Sequence, residues 1–190
     1  MALGVAHVGQ AQHHEVELLG LGEASPGLAV GGVQVIEEDT WSVVEQRLKP
    51  GQIPCSVCGR LRRGVLNRWC AENGFNKLAL GHHLDDAVET FFLNLLYQRR
   101  LDPLKPLTPT DAGTVSTIRP LILLEEQAAK DWAARYGLAP IACPTCDPFP
   151  NSRRRDLKKL LDEFRLLQPQ LTASVRDALY GRQTALPVVQ

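Results

Sequence analysis

Apolar residues after position 32 alternate between short uninterrupted runs and stripes with helical spacing. The runs have strand length and cover Val33–Ile36, Lys77–Leu80 and Ser116–Ile122. Larger apolar side chains recur at helical spacing in five stretches, at about 57–69, 84–95, 128–136, 157–164 and 172–180. Short strands that alternate with helices are typical of βαβ units. The pattern therefore predicts an α/β fold with a Rossmann-like parallel sheet, in which ligands bind beyond the carboxyl ends of the strands.

The ends of the chain lack such a pattern. Residues 1–32 include the small, flexible stretch GLGEASPGLAVGG and show no sustained periodicity, so they are left unassigned. Residues 183–190 are interpreted as a tail, and the folded domain is predicted to span residues 33–182. We expect the sheet of this domain to be incomplete on its N-terminal side.

Composition places the chain among globular proteins. Of its 190 residues, 44% are hydrophobic and 22% are charged, which excludes a disordered, collagen-like or disulfide-dense chain. No apolar run approaches the ~18–20 residues that span a bilayer, so no membrane association is expected. The net charge of 0 conceals an asymmetry, because residues 1–54 carry seven acidic and two basic side chains. Residues 55–190 carry a balance of +5, which is compatible with an acidic partner such as nucleic acid.

Five cysteines occur without an N-terminal export signal, which predicts a cytoplasmic protein with reduced thiols. Four of them form two C-x-x-C pairs, Cys55 with Cys58 and Cys143 with Cys146. Two thiolates at this spacing can reach one metal, so the pairs indicate an iron–sulfur or zinc site. Redox chemistry and unrelated thiols are the alternatives. Cys70 is interpreted as a small buried residue on the apolar side of a predicted helix.

The motif G-H-H-L-D-D, residues 81–86, directly follows a predicted strand. Its glycine allows close backbone approach, and two imidazoles and two carboxylates follow within five positions. One interpretation is ordinary capping, because aspartates are favoured at the start of a helix. The other is a nucleotide or Mg²⁺ neighbourhood, because carboxylates are hard ligands.

Two basic clusters each follow a cysteine pair. The first contains Arg60, Arg62 and Arg63, and the second contains Arg153, Arg154, Arg155, Lys158 and Lys159. Either cluster alone is most simply a solvated helix face. Their parallel placement after the two cysteine pairs favours a surface for a phosphate backbone.

The motifs together resemble those of tRNA 2-thiocytidine synthetases, which belong to the PP-loop (N-type) ATP pyrophosphatase superfamily. The resemblance rests on PCSVCGRLRRG, on GHHLDD and on the later IRPL and PTCDPFPNSRRR, and it runs from about residue 33 to residue 180. It implies an adenine nucleotide α-hydrolase-like fold. It also implies ATP-dependent 2-thiolation of an anticodon-loop cytidine, with Mg²⁺ beside the ATP and a cysteine desulfurase as the sulfur donor. A homodimer is left open.

The resemblance also implies roles for particular residues. Cys55, Cys58 and Cys143 would hold a [4Fe–4S] cluster, with the fourth iron open to carry sulfur. Cys146 would then lie beside the cluster or act as a catalytic sulfur carrier. By the same resemblance, Gly81, His82 and Asp86 would lie near the ATP and Mg²⁺. The arginines at 60, 62 and 63 and at 153, 154 and 155 would contact tRNA phosphates.

The chain departs from the family at the phosphate-binding loop. The family motif S-G-G-x-D-S is not found in the sequence, and the Gly31-Gly32 pair lacks the flanking serines and aspartate. A nest of backbone amides in that loop is what cradles the pyrophosphate. Residues 33–182 are therefore interpreted as a truncated or degenerate thiolation domain that is impaired in ATP use. The alternative is a non-catalytic tRNA-binding remnant that holds a cluster or zinc.

Overall fold

The computed structural model describes residues 4–6, 15–20, 33–49, 54–110, 113–138 and 153–181. Its strands are β1 (Gly4–Ala6), β2 (Glu15–Gly20), β3 (Val33–Glu37), β4 (Lys77–Leu80), β5 (Leu107–Pro109) and β6 (Ser116–Ile118). Its α-helices are α1 (Trp41–Arg47), α2 (Cys55–Glu72), α3 (Leu84–Leu93), α4 (Glu126–Arg135), α5 (Arg153–Leu167) and α6 (Leu171–Tyr180). A π-helical segment, Asn94–Gln98, continues α3. None of the helices in the described ranges is long and apolar enough to cross a membrane.

The strands form one six-stranded sheet in the order β3-β2-β1-β4-β6-β5. The three central strands are parallel, with Gly4 opposite Leu78 and Lys77 opposite Ser116. Both sides of the sheet are completed by antiparallel pairs, β1–β2–β3 on one side and β5–β6 on the other. The predicted α/β class is therefore confirmed, whereas the sheet is mixed rather than purely parallel. Two of its strands lie within residues 1–32, where the sequence predicted no element.

The described residues fall into two compact units. The first contains the described residues that fall within 1–81, 106–120 and 138–150. Its core is formed where α2 covers the sheet, and the fully buried members are Leu66, Cys70, Leu78 and Val115. Of the stripe that the sequence predicted, Val65 is buried and Trp69 packs against this core, whereas its fully buried contacts from α2 come from positions 66 and 70, one residue further along. Gly74 ends the helix with a left-handed φ of 76°, a conformation that favours glycine.

The second unit comprises residues 82–105, 121–137 and 151–190. Here α3 packs against α5, and Leu84, Val88, Leu157 and Leu161 form the buried core. The α6 helix closes this core through partly buried residues, and its Tyr180 hydroxyl donates to the Leu104 carbonyl at 2.7 Å. The apolar stripes predicted at 84–95, 157–164 and 172–180 therefore form one small helical unit.

Candidate functional site

The first cysteine pair lies in the opening turn of α2, directly after buried Pro54. Residues three apart on a helix share one face, so Cys55 and Cys58 are placed to ligate one metal centre. The Cys55 side chain is exposed and that of Cys58 is half-buried. Cys143 and Cys146 lie outside the described residues. Within the described residues, His, Cys, Asp and Glu side chains form no group of three or more that could hold a metal ion.

Cys70 differs from that pair in its surroundings. It is fully buried in the core of the first unit, beneath α2. Burial raises the pKa of its thiol, because desolvation disfavours the thiolate. The prediction of a small buried apolar residue is confirmed.

The first basic cluster occupies the next two turns of α2. Arg60 and Arg63 are exposed, and Arg62 is half-buried. Partial desolvation and the charges of Arg60 and Arg62 lower the pKa of the Arg63 guanidinium. Burial is the largest cause of this shift, and repulsion from the two neighbouring guanidinium groups, which an anionic partner would relieve, adds to it. The cluster is therefore a concentrated positive surface.

Gly81 follows β4 at the carboxyl end of a central parallel strand. Among the described residues, no atom lies within 4 Å of where a Cβ at position 81 would stand, so chain packing alone does not require a glycine there. His82 is half-buried. The start of α3 is then fixed by a capping box between His83 and Asp86. The His83 backbone N–H donates to Asp86 Oδ2 at 3.1 Å, and the Asp86 N–H donates to His83 Nδ1 at 3.4 Å.

The second oxygen of Asp86 also has a partner within the chain. Arg154 Nη1 lies 3.1 Å from Asp86 Oδ1 and 3.2 Å from Glu89 Oε2, and Arg154 Nη2 donates to the Thr90 hydroxyl at 3.5 Å. The structure thus brings together Asp86 and Arg154, which the sequence assigned to the nucleotide and to tRNA respectively. Both carboxylate oxygens of Asp86 are engaged.

Glu89 is a buried acid that sequence reasoning missed. It is 6% exposed on the inner side of α3. Burial raises the pKa of its carboxyl, and the charges of Arg154 and Lys158 oppose that rise. Its position five residues after Leu84 and one after Val88, within the apolar stripe, was the sequence signal that could have singled it out.

Asp85 has a different role from its neighbour Asp86. Its Oδ2 accepts the first backbone N–H of α4, from Glu126, at 2.7 Å. Its Oδ1 accepts from Arg165 Nη2 at 2.8 Å, and Arg165 Nε donates to the Thr172 hydroxyl at 3.2 Å. One aspartate of the motif therefore joins the starts of α3 and α4 to α5 and α6.

A cavity of about 520 Å³ lies beside this junction. Its lining contains four acidic residues (Asp85, Glu125, Glu126 and Asp162) and three basic ones (Lys130, Lys158 and Arg165). Each of the three basic residues forms an ion pair with an acidic residue of the lining. The mixture of paired charges favours a structural network over a site for phosphate.

The remaining arginines of the second cluster lie in the first turn of α5. The Arg153 guanidinium lies over the ring of Tyr97, with Cζ 4.5 Å from the ring centroid. Arg155 is exposed. The three consecutive arginines thus have separate surroundings, and only Arg154 contacts the acidic residues of α3 in the ion pairs described above.

Comparison with known proteins shows what this part of the chain is similar to. Residues 55–145 match the family model of the PP-loop domain. The chain is 39% identical over 150 residues to the tRNA-cytidine(32) 2-sulfurtransferase of Alkalilimnicola ehrlichii, covering 79% of this chain and 48% of the relative. It is 41% identical over 154 residues to the enzyme of the same name from Aliivibrio salmonicida, covering 81% and 49%. The chain spans about half the length of the curated relatives it matches.

A solved structure has a similar fold. The U34-tRNA thiolase NcsA from Methanococcus maripaludis, determined with its [4Fe–4S] cluster, matches with a TM-score of 0.54 and 23% identity. The match covers 77% of this chain and 50% of the thiolase. At this identity the likeness concerns the fold, and it agrees with the α/β architecture described above.

Proposed function

We propose that this chain, whose residues 55–145 match the family model of the PP-loop domain, is a PP-loop protein that takes part in ATP-dependent 2-thiolation of an anticodon-loop cytidine in tRNA. The observation that carries the proposal is identity of 39–41% to tRNA-cytidine(32) 2-sulfurtransferases over about four fifths of the chain. The C2 carbonyl oxygen of cytidine is a poor leaving group. ATP would activate it by adenylation, with release of pyrophosphate. A cysteine desulfurase would deliver sulfur as a persulfide, and a thiol reductant would reduce that sulfur to the sulfide level while being oxidised to a disulfide. The sulfide would then replace the oxygen as AMP leaves.

We further propose that Cys55, Cys58 and Cys143 hold a [4Fe–4S] cluster. The donor chemistry fits, because thiolates are the usual ligands of such clusters and two of them share one helix turn. A third ligand must come from outside the described residues, which agrees with Cys143. When bound, a cluster with three protein thiolates supplies one iron with an exchangeable position for sulfur. Cys146 is then free to act beside the cluster as a sulfur carrier.

Reconstitution of the chain with iron and sulfide under anaerobic conditions tests the ligand set. We expect a broad absorbance near ~400 nm from thiolate-to-iron charge transfer. Cys55→Ser and Cys143→Ser should lose this band, whereas Cys146→Ser, the matched control, should keep it. A band that survives Cys55→Ser would contradict the assignment. Stoichiometric zinc with no iron would favour a zinc-bearing module of the same fold.

Gly81, His82 and Asp86 are proposed as the neighbourhood of ATP and Mg²⁺. Support comes from the position of Gly81 at the carboxyl end of a central parallel strand, where ligands bind in α/β sheets. Further support is that no atom of the described residues lies within 4 Å of where a Cβ at position 81 would stand. Asp86 would exchange its contact with Arg154 for any Mg²⁺ that it ligates, because its other oxygen holds the capping box.

The tRNA surface is proposed to include the arginines at 60, 62, 63, 153, 154 and 155. Support for the first cluster comes from its three guanidinium groups on neighbouring turns of α2, whose mutual repulsion a phosphate backbone would relieve. Titration of tRNA at several salt concentrations is the test. Arg60→Gln should weaken binding and flatten the salt dependence, because one released counterion is lost. An unchanged slope would mean that the arginines form only a solvated helix face.

Turnover by this chain is proposed to be impaired, because its sequence has no S-G-G-x-D-S loop to cradle the pyrophosphate. The assay mixes reconstituted protein, Mg²⁺-ATP, a sulfur source and unmodified tRNA, and detects thiocytidine by mass spectrometry. We expect little product despite tRNA binding. Rapid product formation would contradict the argument from the loop. Binding of tRNA with no product at all would favour the second candidate, a non-catalytic remnant that binds tRNA.

A further inference from the structure

Tyr97 forms a flat, half-exposed aromatic surface in the second unit. It lies in the π-helical segment Asn94–Gln98 and is 49% exposed. The guanidinium of Arg153 lies over its ring, 4.5 Å from the centroid. An arginine over an aromatic ring is a cation–π contact, and it holds both groups in a defined orientation.

The backbone that carries Tyr97 is held in place by Asn94. The Asn94 carbonyl accepts the backbone N–H of Arg100 at 3.1 Å, and its side-chain amide donates to the Asp102 carbonyl at 2.8 Å. Gln98 Nε2 donates to Asn94 Oδ1 at 3.0 Å. The segment then ends at Arg99 in the left-handed conformation, with φ 56°. The aromatic ring is therefore presented by a fixed support, which reduces the entropy lost when a ligand binds.

The chemistry around this ring combines aromatic, basic and apolar groups. Arg99 and Arg100 lie two and three positions after it and are exposed, with Arg100 in an ion pair with Asp102. Leu96, just before it, is 56% exposed. Proteins that bind unpaired nucleotides combine aromatic stacking surfaces with guanidinium groups that meet the phosphates. A paired base offers no free face, so such a surface selects single-stranded segments.

We propose that Tyr97 and Arg153 form a stacking site for an unpaired base of the bound RNA. Arg153 then recognises RNA through its planar guanidinium and the ring it covers, in addition to its charge. The inference rests on the proposed function in that the RNA is taken to be the tRNA anticodon loop, whose bases are unpaired. It adds to that function a residue, Tyr97, outside both basic clusters.

The test compares two synthetic RNAs on the full 190-residue chain. One is an anticodon stem-loop, and the other is a fully paired duplex with the same number of phosphates. Stacking of one base on an aromatic side chain changes affinity by about fivefold or more. Tyr97→Leu should therefore weaken stem-loop binding at least about fivefold, while duplex binding stays within about twofold of wild type. The salt slope should not change, because no charge is lost.

Three variants act as controls. Tyr97→Phe keeps the ring and should bind like the wild type, and Tyr97→Trp enlarges it and should bind at least as tightly. Tyr136→Leu removes another half-exposed tyrosine, whose ring neighbour is Trp132 at 4.6 Å rather than an arginine, and should have no effect.

The outcomes separate this site from the function it rests on. Equal stem-loop binding by Tyr97→Leu and wild type, or loss of binding by Tyr97→Phe, would overturn the stacking site while tRNA binding stands. Equal weakening of both RNAs by Tyr97→Leu would also overturn it, because a duplex has no free base to stack. Failure of the wild type to bind either RNA would overturn both the tRNA substrate and the stacking site.

Discussion

Replacement of Arg154 by glutamine is expected to destabilise the second unit in a way that depends on pH. The Glu89 carboxylate is buried, and its nearest cation is Arg154 Nη1 at 3.2 Å. Arg154→Gln removes that cation and leaves the acid in its buried position. It also removes the contact with Asp86 Oδ1.

The size of the loss in stability depends on the burial of Glu89 and on the exposure of Arg154. Two charges about 4 Å apart interact by about 4 kcal/mol at the effective dielectric of ~20 that suits protein sites. Arg154 is 49% exposed, so water screens much of this interaction. We therefore expect a net loss of about 1–2 kcal/mol, below the 3–5 kcal/mol typical of fully buried pairs. In a chain of this length the melting temperature should fall by about 2–8 °C.

The sign of the pH dependence is fixed by Glu89. Burial raises its pKa in the folded state above the ordinary 4.5, so the folded protein loses stability as pH rises through this range. Arg154 limits the rise, and its removal lets the pKa climb further. The gap in stability between wild type and Arg154→Gln should therefore be small well below pH 4.5, where the Glu89 carboxyl is protonated in both proteins. It should widen toward neutral pH.

Thermal melts of both proteins at acid and neutral pH measure this gap. Lys159→Gln, which removes an exposed positive charge from the same helix, is the matched control and should change the melting temperature little. In the double variant Arg154→Gln/Glu89→Gln the buried charge is absent, and most of the lost stability should return. A pH-independent loss, or a double variant as unstable as the single one, would refute the reasoning.

Three further predictions concern other parts of the molecule. Asp85→Asn should lower the free energy of unfolding in urea by about 1–3 kcal/mol, because its charged hydrogen bond with Arg165 is lost, and an unchanged midpoint would contradict this. In metal-free protein a thiol reagent should modify Cys70 at least about tenfold more slowly than Cys58, since burial both shields the Cys70 thiol and raises its pKa. Mass spectrometry measures the two rates, and equal rates would be inconsistent with this. Burial alone would raise the pKa of Glu126, but hydrogen bonds from its two lysine partners lower it overall. Glu126→Gln should therefore be less stable than wild type at neutral pH, and its stability should approach that of wild type as pH falls below 4.5. Thermal melts across this pH range measure the difference.

Local pattern was enough to predict the elements that carry the site. Helix α2 and strand β4 are where the sequence predicted them. The spacing of apolar residues within each element is a local signal, so no distant partner had to be known. The apolar run at 116–122 is shorter in the structure, and its strand ends at Ile118. Pro120 cannot donate to a sheet ladder, so the chain turns there.

Elements that depend on distant partners could not be predicted. Strands β1 and β2 are defined by pairing with β4 and β3, and β5 lies in a proline-containing stretch that reads as a loop. Pro109 is tolerated because β5 is an edge strand. The different roles of Asp85 and Asp86 could likewise not be predicted, since Arg165, the partner of Asp85, lies eighty positions away in the sequence. The predicted cluster ligand Cys143 lies outside the described residues and stays a prediction, as do the domain boundaries at 33 and 182.

The interleaving of the two units along the chain has a consequence for synthesis. Leu84 and Val88 leave the ribosome long before Leu157 and Leu161, the residues that bury them in the second unit. A nascent chain that ends near residue 150 therefore displays the apolar face of α3 to solvent, and its Glu89 has no Arg154. Contacts so far apart in sequence fold slowly and leave apolar surface exposed in the meantime. Production of this protein should therefore benefit from chaperones that shield α3 until α5 arrives.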